Sequence, residues 1–187
     1  MEKLKENIIN APIIKKGEYN YVIMPVTDGI PKVEPEILEE ITDTILEKIN
    51  LDGIELIVAA EAMAIHLATA LSLKSRIPFI VLRKRQYGLP GETPVFQTTG
   101  YSTSELYINY INKGDKVLIL DDVISTGGTI VAMIEALESL GIEIEEIIAV
   151  IEKGKGKEIV KEKTGHDVTT LIEIDVDNGK PIIKSTI

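Results

Sequence analysis

The chain has 187 residues, of which 44% are hydrophobic, and it carries a formal net charge of −10 and no cysteine. This composition fits one compact domain, excludes disulfides and thiolate chemistry, and argues against binding of nucleic acid, which favours a basic surface. No apolar stretch reaches the ~20 residues of a membrane span, and Met1–Asn10 lacks the apolar core of a secretory signal. We therefore expect a cytoplasmic protein that contacts neither membrane nor nucleic acid.

The first half of the chain alternates amphipathic and apolar segments. The apolar segment Tyr21–Pro31 predicts either a core strand or a cover over a ligand. Isoleucines recur every four residues within Pro35–Asn50, which predicts a helix with one apolar face. Buried strands are predicted at Ile54–Ala60 and Phe79–Leu82, with a helix through Ala62–Leu73 between them.

The segment Arg83–Gly100 is polar and rich in Gly, Pro and Thr, which predicts a long functional loop. A strand is predicted over Tyr101–Ile111. Lys116–Leu120 predicts a third buried strand, which ends at two carboxylates. An amphipathic helix is predicted at Thr129–Leu140.

The last part of the chain continues this alternation. Ile147–Ile151 predicts a fourth buried strand, and Lys157–Lys163 a short helix that ends near Gly165. Val168–Ile187 predicts a strand and hairpin, turned at Asn178-Gly179 in a type I′ turn. The order of elements predicts an α/β fold with a mostly parallel central sheet flanked by helices, and a ligand site at the carboxyl ends of the strands.

The segment Val117–Thr129 reads VLILDDVISTGGT and carries the strongest chemical signal. Glycines at the start of a helix let backbone N–H groups approach an anion, and hydroxyls add further donors. Asp121 and Asp122 suit the hydroxyls of a sugar, or a magnesium ion. The turn that follows them predicts a cradle for a monophosphate, formed by Ser125, Thr126, Gly127, Gly128 and Thr129.

VLILDDVISTGGT resembles the phosphoribosyl-pyrophosphate motif of type I phosphoribosyltransferases. The similarity extends from Ile54 to Lys153 and is most like that of archaeal hypoxanthine/guanine phosphoribosyltransferases, within an adenine- and xanthine-phosphoribosyltransferase-like group. The resemblance implies the type I phosphoribosyltransferase fold over one domain, 1–187. In that fold a small hood comes from about 1–34 and the C-terminal tail, and a flexible loop covers the site. It also implies magnesium dependence and a homodimer.

The activity implied by this resemblance is purine salvage. Ribose 5-phosphate would pass from phosphoribosyl pyrophosphate to hypoxanthine, and to guanine as a second base, giving IMP or GMP and pyrophosphate. Asp121 and Asp122 would be the catalytic carboxylates and would hold magnesium, directly or through ribose hydroxyls and water. The alternatives are an adenine phosphoribosyltransferase, a pyrimidine enzyme, and a non-catalytic regulator that senses phosphoribosyl pyrophosphate.

Two further segments resemble the family's pyrophosphate site. Backbone amides in the loop of relatives hold the diphosphate, and the matching residues here are Ala60, Glu61, Ala62 and Met63. The chain departs from relatives at Met63-Ala64, where they often have Arg-Gly or Ser-Gly. Arg83 and Lys84 resemble cations that suit a leaving group whose charge grows. The alternatives are an exposed helix acid for Glu61 and a solvated basic run for Arg83–Arg85.

Lys153 follows the fourth predicted strand and resembles the oxopurine-binding lysine of xanthine and hypoxanthine-guanine enzymes. A lysine offers only donors, so it complements a 6-oxo group better than a 6-amino group. The alternative is a member of a solvated lysine set. Gly100 stands where adenine-specific relatives have glutamate, and Ser125 where some relatives have a general-base aspartate, so the proton acceptor is unassigned. Two distant histidines, His66 and His166, make a poor metal site.

Overall fold

The computed structural model describes residues 1–17, 19–98 and 103–187. Within those ranges no helix is long and apolar enough to cross a membrane. The helices are Glu2–Ile9 (α1), Pro25–Asp28 (α2), Pro35–Lys48 (α3), Ala64–Ser75 (α4), Gly128–Ser139 (α5) and Gly156–Thr164 (α6). The strands are Ile13–Lys16 (β1), Tyr19–Val22 (β2), Leu56–Ala60 (β3), Phe79–Leu82 (β4), Thr93–Thr98 (β5), Thr103–Ile108 (β6), Lys116–Ile124 (β7), Glu143–Lys153 (β8), Thr169–Asp177 (β9) and Lys180–Thr186 (β10).

Six strands form the central sheet in the order β10-β9-β8-β7-β3-β4. The five strands from β9 to β4 are parallel, and β10 is antiparallel to β9. Asn178 and Gly179 both have positive φ, 48° and 74°, as the type I′ turn between β9 and β10 requires. The predicted α/β fold with a mostly parallel sheet is therefore confirmed.

Two hydrophobic layers cover the faces of this sheet. On one face α1, α3 and α4 pack together, with Ile37, Ile41 and Ile45 of α3 fully buried, as their spacing predicts. On the other face α5 and α6 pack with the antiparallel β5–β6 hairpin, which contributes Val95 and Leu106. Each large side chain buried in this way contributes about 1.5–3 kcal/mol, so the sheet edge that carries the site is firmly held.

The prediction of one loop over Arg83–Gly100 is wrong in its second half, because β5 lies within it and pairs with β6. Pro94 obscured this strand, yet a two-stranded ribbon tolerates proline because each strand has an unpaired edge. The predicted family loop at Gly100-Tyr101-Ser102 lies outside the described residues.

The strand before the glycine-rich turn is longer than predicted. β7 continues through Asp121 and Asp122 to Ile124, in parallel register with β8, where Asp121 is paired with Ala149. The backbone of β7 continues to pair with β8 beyond the apolar run, because backbone hydrogen bonds do not require apolar side chains. The two carboxylates therefore lie inside the strand instead of beyond its end.

The N-terminal segment forms neither a strand of the central sheet nor an irregular cover. β2 pairs antiparallel with β1 in a separate two-stranded sheet, and α2 follows directly. The core-strand alternative for Tyr21–Pro31 holds only in part: β2 ends at Val22 and lies outside the central sheet, although Val22, Met24 and Val26 are buried in the core. Helix α1, with Leu4 and Ile8 buried, had no clear sequence signal because only two core positions mark it.

Candidate active site

A cavity of about 330 Å³ lies at the carboxyl ends of β7 and β8, with the β1–β2 hairpin and α2 on its other side. Tyr21, Val22 and Met24 line the cavity from the hairpin and the residues directly after it, α2 contributes Thr27 and Asp28, and the strand ends contribute both apolar and polar side chains. The residues that line the cavity are Tyr21, Val22, Met24, Thr27, Asp28, Asp121, Val123, Ile124, Ser125, Thr126, Gly127, Gly128, Thr129, Ile130, Lys153 and Ile174. The structure therefore brings the predicted phosphate cradle, Asp121 and Lys153 around one space.

The predicted phosphate cradle is a tight turn at the start of α5. Gly127 is the N-cap of this helix and has φ 73°, a conformation that favours glycine. A Cβ on Gly127 would lie 2.8 Å from the carbonyl oxygen of Gly156 and 3.0 Å from Cγ2 of Val160. A Cβ on Gly156 would lie 2.5 Å from Cγ1 of Ile124 and 2.9 Å from the carbonyl oxygen of Ser125. The two glycines thus let the turn rest directly on the start of α6.

Asp121 and Asp122 are two neighbouring carboxyl groups in β7. Asp121 is buried, and its Oδ1 accepts the backbone N–H of Asp122 at 3.0 Å. Burial raises the pKa of Asp121 to about 6. Burial also raises the pKa of Asp122 well above its ordinary value, and the negative charges of Asp121 and Asp28 raise it further. The pair therefore favours a ligand that brings positive charge or hydrogen-bond donors to it.

These raised pKa values predict how the stability of the ligand-free protein depends on pH. The folded state keeps protons that the unfolded chain releases above about pH 4. The contribution of this pair to the free energy of unfolding therefore falls as pH rises from about 4 through 6. For Asp121 the loss amounts to about 3 kcal/mol by pH 7. We expect Asp121→Asn to raise the free energy of unfolding at pH 7.5 and to leave it nearly unchanged at pH 4. Urea unfolding at both pH values, without magnesium, measures the difference.

The same change at Asp52, which is exposed, is the matched control for that measurement and is expected to shift neither value by more than about 0.5 kcal/mol. A loss of stability for Asp121→Asn at pH 7.5 would contradict the account of the pair.

A second group of predicted residues lies at the ends of β3 and β4. Nε of Arg83 donates to Oε2 of Glu61 at 2.8 Å, and the backbone N–H of Lys84 donates to the same oxygen at 3.1 Å. These contacts lower the pKa of Glu61, chiefly through the Lys84 backbone N–H and then through Arg83. Glu61 precedes α4 and is held in an ion pair with Arg83, so it is neither a helix residue nor free in solvent. Arg83 and Lys84 are thereby held together at the carboxyl ends of β3 and β4.

Ala60 and Ala62 flank Glu61 in this group, and the Glu61–Ala62 peptide is cis. Met63 lies toward α2, with its Cε 3.7 Å from the place that a Cβ on Gly29 would take. The residues of this second group do not line the 330 Å³ cavity itself but lie beside it on the next strands.

Lys153 ends β8 and is half-buried, which contradicts the solvated-lysine alternative. Its Nζ donates to the backbone carbonyl of Asn20 in β2, so it ties the hairpin to the sheet beside the cavity. Sequence reasoning did not identify Asp28, which also lines the cavity. The one available signal was an acidic residue before a glycine in an otherwise apolar segment.

A glycine-rich turn at a helix start, a buried carboxylate, apolar side chains and a lysine around one cavity are the features expected of a protein that binds a phosphorylated sugar beside a flat ring. The phosphoribosyl transferase domain model matches residues 33–180. The chain therefore belongs to the phosphoribosyltransferase family and is a pentosyl-transferring enzyme.

Individual relatives are similar over nearly the whole chain. A hypoxanthine/guanine phosphoribosyltransferase of Methanocaldococcus infernus is 58% identical over 97% of this chain and 100% of that protein. One of Methanothermobacter marburgensis is 53% identical over 98% of this chain and 96% of that protein. Among solved structures, adenine phosphoribosyltransferase from Thermoanaerobacter pseudethanolicus has a TM-score of 0.74 at 24% identity, covering 92% of this chain and 99% of that chain. The latter similarity concerns the fold alone.

Proposed function

We propose that this enzyme transfers ribose 5-phosphate from phosphoribosyl pyrophosphate to hypoxanthine and guanine, forming IMP or GMP and pyrophosphate. One observation carries the choice of base: the Nζ of Lys153 is held at the cavity wall by the backbone carbonyl of Asn20, in the same lining as the apolar side chains of Val22 and Met24. A flat ring against these side chains would meet a donor at its 6-position, which suits a 6-oxopurine. The names of the relatives at 53–58% identity support the same substrates.

Different residues around the cavity bind different parts of the substrate. The turn Ser125–Thr129 anchors the 5-phosphate through backbone N–H groups and hydroxyls. Asp121 and Asp122 accept hydrogen bonds from the ribose hydroxyls and oppose the positive charge that develops at the anomeric carbon. The base then attacks that carbon from the side of the hood as pyrophosphate departs.

Departing pyrophosphate is stabilised by the residues at the carboxyl ends of β3 and β4, beside the cavity. Backbone amides of Ala60–Met63 and the cations Arg83 and Lys84 are the donors for it. Because Arg83 is paired with Glu61 in the structure, its guanidinium is already oriented toward this corner before substrate binds. Pre-orientation lowers the cost of assembling the leaving-group site.

The carboxylates fit a magnesium ion that arrives with the substrate. Within the described ranges no group of three or more His, Asp or Glu side chains is placed to hold a metal. Magnesium commonly uses one or two carboxylates and completes its shell with phosphate oxygens and water, so Asp121 and Asp122 suffice. When bound, the ion would neutralise charge on the diphosphate. Loss of turnover in EDTA, restored by added magnesium, is the expected result.

Lys153→Met tests the base assignment. We expect it to lower kcat/KM for hypoxanthine by about 10–100-fold, because a hydrogen bond from a charged donor contributes about 1.5–3 kcal/mol. Any activity with adenine is expected to change much less. The measurement is a competition assay in which hypoxanthine, guanine and adenine share limiting phosphoribosyl pyrophosphate.

Lys163→Met, at an exposed position of α6, is the matched control and is expected to behave like the unchanged protein. Equal losses for hypoxanthine and adenine in Lys153→Met would assign Lys153 to holding the hairpin alone. AMP as the main product of the unchanged enzyme would favour the adenine alternative.

The proposal includes a cytoplasmic homodimer of one-domain subunits, with the hood built from about 1–34 and the C-terminal tail, and no nucleic-acid partner. The family resemblance supports the dimer, and the net charge of −10 disfavours DNA. Light scattering after gel filtration tests the dimer. Tight binding of phosphoribosyl pyrophosphate without turnover, together with retention on DNA at physiological salt, would favour the regulator.

A further inference from the structure

The reaction releases a proton that needs an acceptor near the purine ring. As the ring nitrogen bonds to the anomeric carbon and the carbon–oxygen bond to pyrophosphate breaks, the imidazole N–H of the base must lose its proton. At the start of the phosphate turn stands Ser125, whose hydroxyl is not a base at neutral pH. The acceptor must therefore come from elsewhere in the cavity.

Few side chains that line the cavity can accept a proton. Lys153 has only donors, and Tyr21 carries a phenol, which is a weak acceptor. Asp121 belongs to the carboxyl pair that faces the ribose. Asp28 is the other carboxylate in the cavity lining within the described ranges.

Asp28 is held in one orientation with part of its carboxylate uncommitted. It ends α2, and Oδ2 accepts both the backbone N–H of Met24 at 3.0 Å and the hydroxyl of Thr27 at 2.6 Å. Within the described ranges no hydrogen bond reaches Oδ1. Gly29 follows with φ 69°, which turns the chain away directly after the carboxylate. One oxygen therefore fixes the side chain, and the other remains for a ligand.

The position of Asp28 suits the junction between base and ribose. It belongs to the same wall as Tyr21, Val22 and Met24, which would cover the base. Its charge also acts on Asp122, so it lies within electrostatic range of the carboxyl pair that faces the ribose. The reacting nitrogen lies where base and ribose meet.

We propose that Asp28 is the catalytic proton acceptor, with Oδ1 taking the imidazole proton of the purine as the new bond to the anomeric carbon forms. This proposal rests on the proposed function. Proton transfer by a positioned side chain contributes about 10²–10⁴-fold to the rate. A base that gives up its proton readily without help needs this contribution less.

Asp28→Asn tests the proposal with two bases, guanine and 8-azaguanine, whose triazole N–H is more acidic than the imidazole N–H. The expected result is a fall in kcat/KM of about 10²–10⁴-fold for guanine and a far smaller fall for 8-azaguanine. Equal falls for both bases, as a purely structural role predicts, would overturn the proposal, and so would no fall for either. Asp52→Asn is the control of the same chemistry at an exposed position.

A second variant keeps the test decisive if asparagine disturbs α2. Asp28→Ala is expected to regain guanine transfer in added formate, which can enter the space of the lost carboxylate and accept the proton. Formate without effect on this folded variant, checked by circular dichroism, would contradict the role. Absence of transfer by the unchanged enzyme to both bases would instead overturn the proposed function, and the proposal for Asp28 with it.

Discussion

Replacing Asp121 and Asp122 together with asparagine is expected to lower kcat/KM for hypoxanthine by about 10³-fold, since each group that stabilises developing charge contributes about 10²–10³-fold. Asparagine keeps the size of each side chain but cannot oppose positive charge at the anomeric carbon. The pair lies inside β7, where Asp121 is paired with Ala149 of β8, so a loss of activity with an unchanged circular dichroism spectrum would come from the carboxylates themselves.

The measurement is steady-state kinetics with circular dichroism as the check on folding. The double change Asp52→Asn with Glu143→Gln removes the same charge from exposed positions near the amino ends of the parallel strands, and is expected to retain activity. An active Asp121→Asn, Asp122→Asn enzyme would contradict the ribose site. Because burial of the pair costs stability at neutral pH, the inactive variant is also expected to be the more stable protein.

Gly127→Ala is expected to lower the free energy of unfolding by about 2–5 kcal/mol. The positive φ costs a non-glycine residue about 1–2 kcal/mol, and forcing a methyl group into packed atoms costs about 1–3 kcal/mol more. The obstacle is the backbone carbonyl of Gly156, 2.8 Å from the added Cβ, which cannot rotate away as a side chain would. Because the turn must shift, binding of ribose 5-phosphate is also expected to weaken. The loss of one charge-assisted hydrogen bond corresponds to a change of at least about 10-fold.

Gly179→Ala is the matched control for this change. Gly179 has nearly the same φ, 74°, but a Cβ there would meet no described atom within 4 Å. Its free energy of unfolding is expected to fall only by the conformational cost of about 1–2 kcal/mol. It is expected to bind ribose 5-phosphate normally. Urea unfolding and calorimetry compare the two variants. Equal losses of stability would show that close packing against α6 contributes nothing.

The part of the site that is contiguous in sequence was predictable. Val117–Thr129 contains strand, carboxylates, turn and helix start in one run, and the physical use of each part follows from local chemistry. The parallel sheet was also predictable, because a chain that alternates apolar strands with amphipathic helices can adopt few topologies. Even there, the carboxylates were placed at the end of a strand that in fact continues to Ile124 because β8 runs beside it.

The parts that depend on distant contacts were not predictable. Asp28 reaches the cavity only because the β1–β2 hairpin and α2 fold over the sheet, and no local pattern encodes that placement. The contact of Gly127 with Gly156 likewise joins two helix starts from separate crossovers. Pro94 made β5 look like a loop, because proline disfavours strands except at an unpaired edge.

The most direct test of the central claim is pyrophosphate release from phosphoribosyl pyrophosphate and magnesium, with hypoxanthine, guanine, adenine and orotate supplied separately and with no base as the blank. We predict pyrophosphate release with hypoxanthine and with guanine, and an equal amount of IMP or GMP. This result follows if a 6-oxopurine reacts at the cavity lined by Lys153, Asp121 and the turn Ser125–Thr129. Release with adenine or orotate alone, or silence with all four bases despite tight binding of phosphoribosyl pyrophosphate, would contradict it.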